Sequence, residues 1–133
     1  MSQDGRDALF IASDYRANFK NVIAKRSDLA QFDGGRLDAS QYGQTLQAGT
    51  VMGIITASGL YKPYLSSASD GSQIPVGVLA DYADPSAAGD GSEIVVIKSG
   101  ILLKDLLVGY DANAKSVLGA KESVEHGVNL VRF

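Results

Sequence analysis

Several side chains on which enzymes and metal sites depend are scarce in this sequence of 133 residues. It contains no cysteine and no tryptophan, and His126 is its single histidine. The lack of cysteine excludes a disulfide framework and a cysteine-based zinc site, and one histidine excludes the H-E-x-x-H zinc motif. No P-loop, G-x-S-x-G or G-x-G-x-x-G pattern occurs. We therefore predict no catalytic residues and no bound cofactor or metal, and we expect a protein that is not an enzyme.

Long apolar runs and a strong excess of one charge are also missing. The net charge is -3, from 12 Lys/Arg and 15 Asp/Glu, and no basic cluster suggests binding to nucleic acid. No segment reaches transmembrane length, and the first residues are too acidic, with too short an apolar run, for a signal peptide. We expect no membrane partner and synthesis in a cytoplasm-like solution.

Short apolar segments separated by turn signals dominate the chain from residue 46 onward, which is typical of a β-rich domain. TVMGIITASG and LYKPYL predict a hairpin, and IVVIKSG and VNLVRF predict two further strands. Pro75 fits the first residue of a strand or an edge position, because proline lacks the N–H that a central ladder needs. ILLKDLLVGY fits either a strand or a short helix. The predicted fold is mainly β with one or two short helices (α+β).

One helix is predicted after Asp111, whose side chain suits the N-cap position. Apolar residues then recur near one helical face, and Gly127 suits the C-cap. These apolar residues are Ala114, Val117, Leu118 and Val124. His126 is expected to interact with the last carbonyl groups of this helix.

Two other sets of residues are open to a structural or a functional interpretation. Four acidic residues cluster in and beside one loop, but their spacing does not match a calcium-binding loop, so we interpret them as a solvated turn. They are Asp81, Asp84, Asp90 and Glu93. Five tyrosines near turns and strand ends suit the edge of a core or an interface. They are Tyr42, Tyr61, Tyr64, Tyr82 and Tyr110.

The first third of the chain differs from the rest and ends in the turn-rich, polar stretch FDGGRLDASQYGQT. We place an N-terminal arm and joint at residues 1–45 and a β-rich body at residues 46–133. The spacing from Ala12 to Ile23 fits a helix, whereas LFIAS and FKNVIAK also fit short extended segments. The arm is too apolar for a freely solvated tail, so either it completes the core of the body or another chain covers it.

The order of several short motifs resembles the lambda-like family of tailed-phage head decoration proteins. The resemblance begins at GRDALFIASDY, continues through LQAGTVMGIITASGLYKPY, DGSQIPVGVLADYAD and IVVIKSGILLKDLL, and ends at HGVNLVRF. It covers most of the chain. Each piece is weak by itself, whereas the linked order is fairly specific.

This resemblance implies a structural viral protein, a cement protein that acts by binding. Such proteins bind the outside of the expanded capsid as homotrimers at three-fold positions, and they stabilise it against the pressure of packaged DNA. The implied fold is a compact, β-barrel-like body with an extended N-terminal arm that lies on the major capsid protein. The implied location is the outer capsid surface of the virion. The implied capsid-binding residues are Arg6, Leu9, Phe10, Ile11, Ser13, Asp14, Phe19, Val22 and Ile23.

Two other functions remain open from the residues themselves. The main alternative is a small β-barrel ligand-binding domain with the loop from Asp81 to Glu93 at its mouth. The other is a hydrolase built on scattered acidic residues, since any two carboxylates can meet in space.

Overall fold

The computed structural model of the protein describes residues 30–41, 44–83 and 93–133. Within these ranges the chain forms eight strands, one α-helix and two short 3-10 helices, Ala39–Gln41 and Lys104–Leu106. The mainly β prediction is therefore confirmed. The strands and the helix are β1 (Gln31–Arg36), β2 (Val51–Ile54), β3 (Tyr61–Pro63), β4 (Pro75–Leu79), β5 (Glu93–Ser99), β6 (Ile101–Leu103), α1 (Ala112–Leu118), β7 (Lys121–Glu125) and β8 (Val128–Arg132).

The strands form two antiparallel sheets. The larger sheet has five strands in the order β1-β5-β4-β2-β3, and the smaller has three in the order β6-β8-β7. In the described residues neither sheet closes on itself, so the body has two open sheets where the sequence suggested a barrel-like closure. ILLKDLLVGY, which suited strand or helix, forms β6 followed by the 3-10 helix Lys104–Leu106.

The central strands of the five-stranded sheet are buried on both faces. Cross-strand pairing places Val51, Val78 and Ile97 in one row, and all three are buried. Neighbouring residues on the same strands, Leu79 and Val96, are also buried but point to the opposite face. Burial on both faces explains why PVGVLA is almost continuously apolar. IVVIK is equally apolar, yet Val95 within it is exposed.

Different parts of the chain cover the two faces. Leu102 of β6 and Ala114 of α1 pack in the cluster that contains Val78. The opposite cluster, around Leu79, includes Leu37, Leu46 and Ala83 from the segments that flank the strands. The smaller sheet and the helix therefore form a second layer over one face, and extended segments cover the other.

Pro75 begins a central strand. It is the first residue of β4, as predicted, and its partner on β2 is Gly53. The edge position that also suited this proline is wrong, because β4 lies between β5 and β2. A proline is tolerated here since the first residue of a strand need not donate to the ladder.

The predicted hairpin and the predicted helix N-terminus are both confirmed. β2 and β3 pair antiparallel, with Ile54 opposite Tyr61. Asp111 caps α1, and its side chain accepts a hydrogen bond from the Ala114 N–H at 2.8 Å. VNLVRF forms β8 as expected.

The helix ends earlier than its apolar spacing predicted. It stops at Leu118, and Gly119 takes the left-handed C-cap conformation with φ 69°. Extension to Val124 and a C-cap at Gly127 are therefore wrong, because Lys121–Glu125 forms β7. His126 and Gly127, with φ 52° and 80°, form the two-residue turn between β7 and β8. His126 is thus a hairpin-turn residue and not a helix cap.

The stretch expected to be a turn-rich joint contains a strand. Gln31–Arg36 forms β1 and pairs with β5, with Gly34 opposite Val95. Gly35 suits this strand because the ring of Tyr61 occupies the space that a side chain would need. A tertiary contact therefore explains a glycine that indicated a turn in the sequence.

We predict that Gly53→Ala lowers the free energy of unfolding by about 1–3 kcal/mol, the usual cost of overpacking. A methyl group at Gly53 would lie 2.6 Å from the Ser72 carbonyl oxygen and 2.7 Å from its Cα, both backbone atoms. The matched control is Gly34→Ala, in a strand position with no atom within 4 Å. Urea denaturation of both variants measures the difference, and equal stabilities would contradict the predicted clash.

Candidate functional site

All of the predicted capsid-binding residues lie outside the described residues. These are Arg6, Leu9, Phe10, Ile11, Ser13, Asp14, Phe19, Val22 and Ile23. Their role, and the boundary between arm and body at residues 45 and 46, stay predictions. The structure does describe the point at which the first third of the chain reaches the body.

Ala30, the first described residue, packs against the core beside the turn between β5 and β6. Ala30 and Phe133 both pack against the hydrophobic cluster that contains Ile97. Gly100 donates a hydrogen bond to the Phe133 carbonyl at 2.9 Å and accepts one from the Phe133 N–H at 3.2 Å. A methyl group on Gly100 would lie 3.2 Å from the Ala30 Cβ. The backbone of Gly100 therefore lets Ala30 approach the body closely.

A buried tyrosine joins α1 to the main sheet. The Tyr64 hydroxyl donates to Asp111 Oδ1 at 2.9 Å and accepts from Asn113 Nδ2 at 2.9 Å. Donation from the Ala114 N–H, and then from Tyr64, lowers the pKa of Asp111. Its oxygen atoms are thus occupied by hydrogen bonds that hold the helix, which suits an anchor better than a general base.

A second carboxylate fixes the long loop between β3 and β4. Asp70 accepts hydrogen bonds from the Ser72 hydroxyl at 2.6 Å and from Lys62 Nζ at 2.9 Å. The hydrogen bond from Ser72 and then the one from Lys62 lower the pKa of Asp70 strongly. The Ser72 side chain is fully buried, so this loop is held against the sheet.

Glu122 of β7 forms the third polar cluster. It accepts hydrogen bonds from Lys104 Nζ at 3.1 Å and from the Tyr110 hydroxyl at 2.9 Å, and Lys115 Nζ lies 3.8 Å away. Lys104 and then Tyr110 lower the pKa of Glu122, whereas burial and then Glu122 raise the pKa of Tyr110. The cluster ties β7 to α1 and to the 3-10 helix Lys104–Leu106.

The acidic loop is described at its two ends. Asp81 accepts a hydrogen bond from the Tyr82 N–H at 2.8 Å, and Glu93 begins β5 with a carboxylate oxygen 3.8 Å from Arg36. Asp84 and Asp90 lie outside the described residues. Among the described residues, no group of three or more His, Cys, Asp or Glu could hold a metal ion. The interpretation of the whole loop as a solvated turn stays a prediction.

The tyrosines divide between core and surface. Tyr61 and Tyr64 are buried, Tyr110 is partly buried, and Tyr82 is exposed, while Tyr42 lies outside the described residues. Core packing is therefore confirmed for the first two.

A groove of about 560 Å³ runs along the outer part of the main sheet. It is lined by Gly34, Gly35, Arg36, Glu93, Ile94 and Val95. The alternative ligand-binding function required a barrel with the acidic loop at its mouth. The groove instead lies on two neighbouring strands of an open sheet, β1 and β5.

Several large apolar side chains are exposed on the body, and the sequence patterns did not identify them as a surface. They are Phe32, Leu65, Ile74, Tyr82, Val95, Leu106, Val108, Val117, Val124 and Val128. The apolar spacing predicts Val124 on a helix face, whereas the structure places it on β7, before the turn at His126 and Gly127. None of the helices in the described part of the chain is long and apolar enough to cross a membrane.

We predict that acid destabilises the body through its hydrogen-bonded carboxylates. The pKa values of Asp38, Asp70, Asp111 and Glu122 are all lowered in the folded protein. The unfolded chain therefore binds more protons as pH falls through the ordinary carboxylate range, roughly 4, and folding stability is lost. Thermal melts between neutral and acidic pH should show a falling melting temperature.

The variant Asp70→Asn isolates one of these groups. It should melt at a lower temperature than the parent at neutral pH and lose less stability on acidification. Asp33→Asn, on the exposed strand β1, controls for the loss of one negative charge. A parent and an Asp70→Asn variant with identical pH dependence would contradict this assignment.

Comparison with known proteins supplies the family. A family model described as Bacteriophage lambda head decoration protein D matches residues 22–127. No protein in the curated set matches the chain. The match covers residues 22–45 of the predicted arm and joint and residues 46–127 of the predicted body. The chain belongs to the bacteriophage lambda head decoration protein D family.

Proposed function

We propose that this protein binds the outside of the expanded phage capsid as a homotrimer at three-fold positions. There it stabilises the shell against the outward pressure of packaged DNA. The observation that carries this proposal is the family match over residues 22–127. The protein acts by binding, with the major capsid protein as its partner and without a catalytic step.

The N-terminal arm supplies the main contact with the capsid in this proposal. Apolar residues with free backbone groups can add as a strand to a neighbouring sheet edge, where main-chain hydrogen bonds give affinity and alternate side chains give register. Ordering such a segment costs about 1–2 kcal/mol per residue. Burial of Leu9, Phe10 and Ile11 must offset that cost, since a large apolar side chain contributes about 1.5–3 kcal/mol when fully buried.

The body serves as a rigid base for the arm. The central strands of its main sheet are buried on both faces by its own chain, so little of its folding depends on the capsid. Ala30 packs against the same cluster as Ile97, beside Gly100. A force on the arm would therefore be transmitted to the five-stranded sheet through the contact between Ala30 and this cluster.

Three arms in one trimer would bind as a unit. Once one arm is bound, the other two are held near their sites at a high effective concentration. Modest contacts from each arm can then give firm attachment to the expanded capsid. The capsid sites that the arms bind can be absent before the shell expands.

Removal of residues 1–20 should leave a folded protein that no longer decorates expanded capsids. The reason is that the described residues by themselves form both hydrophobic clusters, whereas the proposed contact lies in the arm. Circular dichroism measures folding, and co-sedimentation with expanded capsids measures binding.

A point variant in the full chain makes this test independent of truncation. Phe10→Ser should weaken capsid binding at least about tenfold, since the loss of a buried aromatic exceeds 1.4 kcal/mol. Gln3→Ser is the matched control near the start of the arm. Capsid binding unchanged by the truncation would refute the arm contact.

The assembly state of the free protein is a separate expectation. Light scattering after size exclusion should show a concentration-dependent trimer in the full chain, because the proposed sites have three-fold symmetry. A monomer at all concentrations that gains thermal stability from a small metabolite would instead favour the ligand-binding alternative.

A further inference from the structure

The outer edge of β7 presents backbone groups that no described strand uses. β7 pairs with β8 on one side, and among residues 30–41, 44–83 and 93–133 no strand pairs with its other side. The two-residue turn makes Glu125 and Val128 a hydrogen-bonded pair. Hydrogen bonding alternates along a strand, so Glu125, Ser123 and Lys121 point their backbone groups towards β8. The N–H and C=O groups of Glu122 and Val124 therefore point away from the sheet.

A contact at the start of β7 supports this orientation and limits the open edge. The Ala120 N–H, which has the same direction as those of Glu122 and Val124, donates to the Lys115 carbonyl at 3.0 Å. The end of α1 thus blocks the edge at Ala120. Among the described residues no strand pairs with the edge from Lys121 to Glu125, and all five residues of β7 are exposed, with Val124 66% exposed.

The charges of β7 are complementary to those of a second, antiparallel copy. A two-fold axis through Ser123 would place Lys121 opposite Glu125 of the other copy, twice, and Ser123 opposite itself. Glu122 and Val124 would form the hydrogen-bonded pairs with the other copy's Val124 and Glu122, which satisfies all of their outward groups. Opposite charges in directly facing positions stabilise a sheet, whereas like charges destabilise it.

We infer that two copies of this chain associate through their β7 edges, antiparallel and centred on Ser123. The pairing joins two three-stranded sheets into a continuous six-stranded one and covers Val124. Glu125 is already engaged within its own chain, so Lys121 of the second copy adds to an existing interaction. This contact has two-fold symmetry and does not depend on the capsid, so it goes beyond the proposed function.

The first test uses the absence of cysteine from the chain. Facing residues in a non-hydrogen-bonded pair have Cα atoms about 4.5 Å apart, which is within the range of disulfides, about 4.4–6.8 Å. Ser123→Cys in the full chain should therefore form a disulfide-linked dimer under mild oxidation at micromolar concentration. Ser66→Cys, on an exposed turn, is the control and should stay largely monomeric on a non-reducing gel.

A charge exchange provides the second test without a covalent link. Lys121→Glu and Glu125→Lys should each raise the dissociation constant of the pair about tenfold, because each creates two like-charge contacts. The double variant restores both opposite-charge contacts and should recover the parent value in sedimentation equilibrium. Circular dichroism of each variant checks that the chain as a whole is still folded.

Three results would overturn the inference. One is equal crosslinking of Ser123→Cys and Ser66→Cys. Another is a double variant no tighter than the two single variants. The third is a dimer that persists unchanged in both single charge variants, which would place the two-fold contact elsewhere; the trimer expected from the proposed function is a separate species. None of these bears on capsid binding, so the arm proposal is judged separately by co-sedimentation.

Discussion

The burial of the central strands of one sheet on both faces is the constraint on which the rest of this structure depends. Val78 and Leu79 are adjacent in β4, yet they belong to two separate hydrophobic clusters on opposite faces. Each face then needs its own cover, because a single layer would leave half of these apolar side chains in water. The smaller sheet with α1 provides one cover, and the segments around Leu37, Leu46 and Ala83 provide the other.

The polar side chains complete this arrangement by fixing the covers in place. Asp111 holds the helix to Tyr64, Asp70 holds the loop after β3, and Glu122 holds β7 to its neighbours. In each case donors lower the pKa of the carboxylate. These carboxylates stabilise the packing of the helix, the loop and β7 against the rest of the body. Such a structural role agrees with membership of a family of head decoration proteins.

A structural protein of this kind acts through its edges and extensions. The five-stranded sheet has little free apolar surface at its centre, so the contacts proposed above use the arm and a strand edge instead. The proposed arm contact follows the sequence before Ala30, whereas the proposed two-fold contact follows the free edge of β7. The two contacts use different parts of the chain and have different symmetry.

The sequence by itself determined the strand-rich class, the β2–β3 hairpin, the start of β4 at Pro75 and the Asp111 cap. All of these depend on residues close together in the chain, where proline, glycine and side-chain capping act directly. It also indicated the family, through the order of its motifs.

Only the tertiary structure decided that β4 is central, that Gly35 lies in a strand under Tyr61, and that the segment after Gly119 leaves the helix to pair with β8. Local spacing cannot distinguish these outcomes. Each depends on a partner distant in sequence whose burial and hydrogen bonds outweigh the local preference.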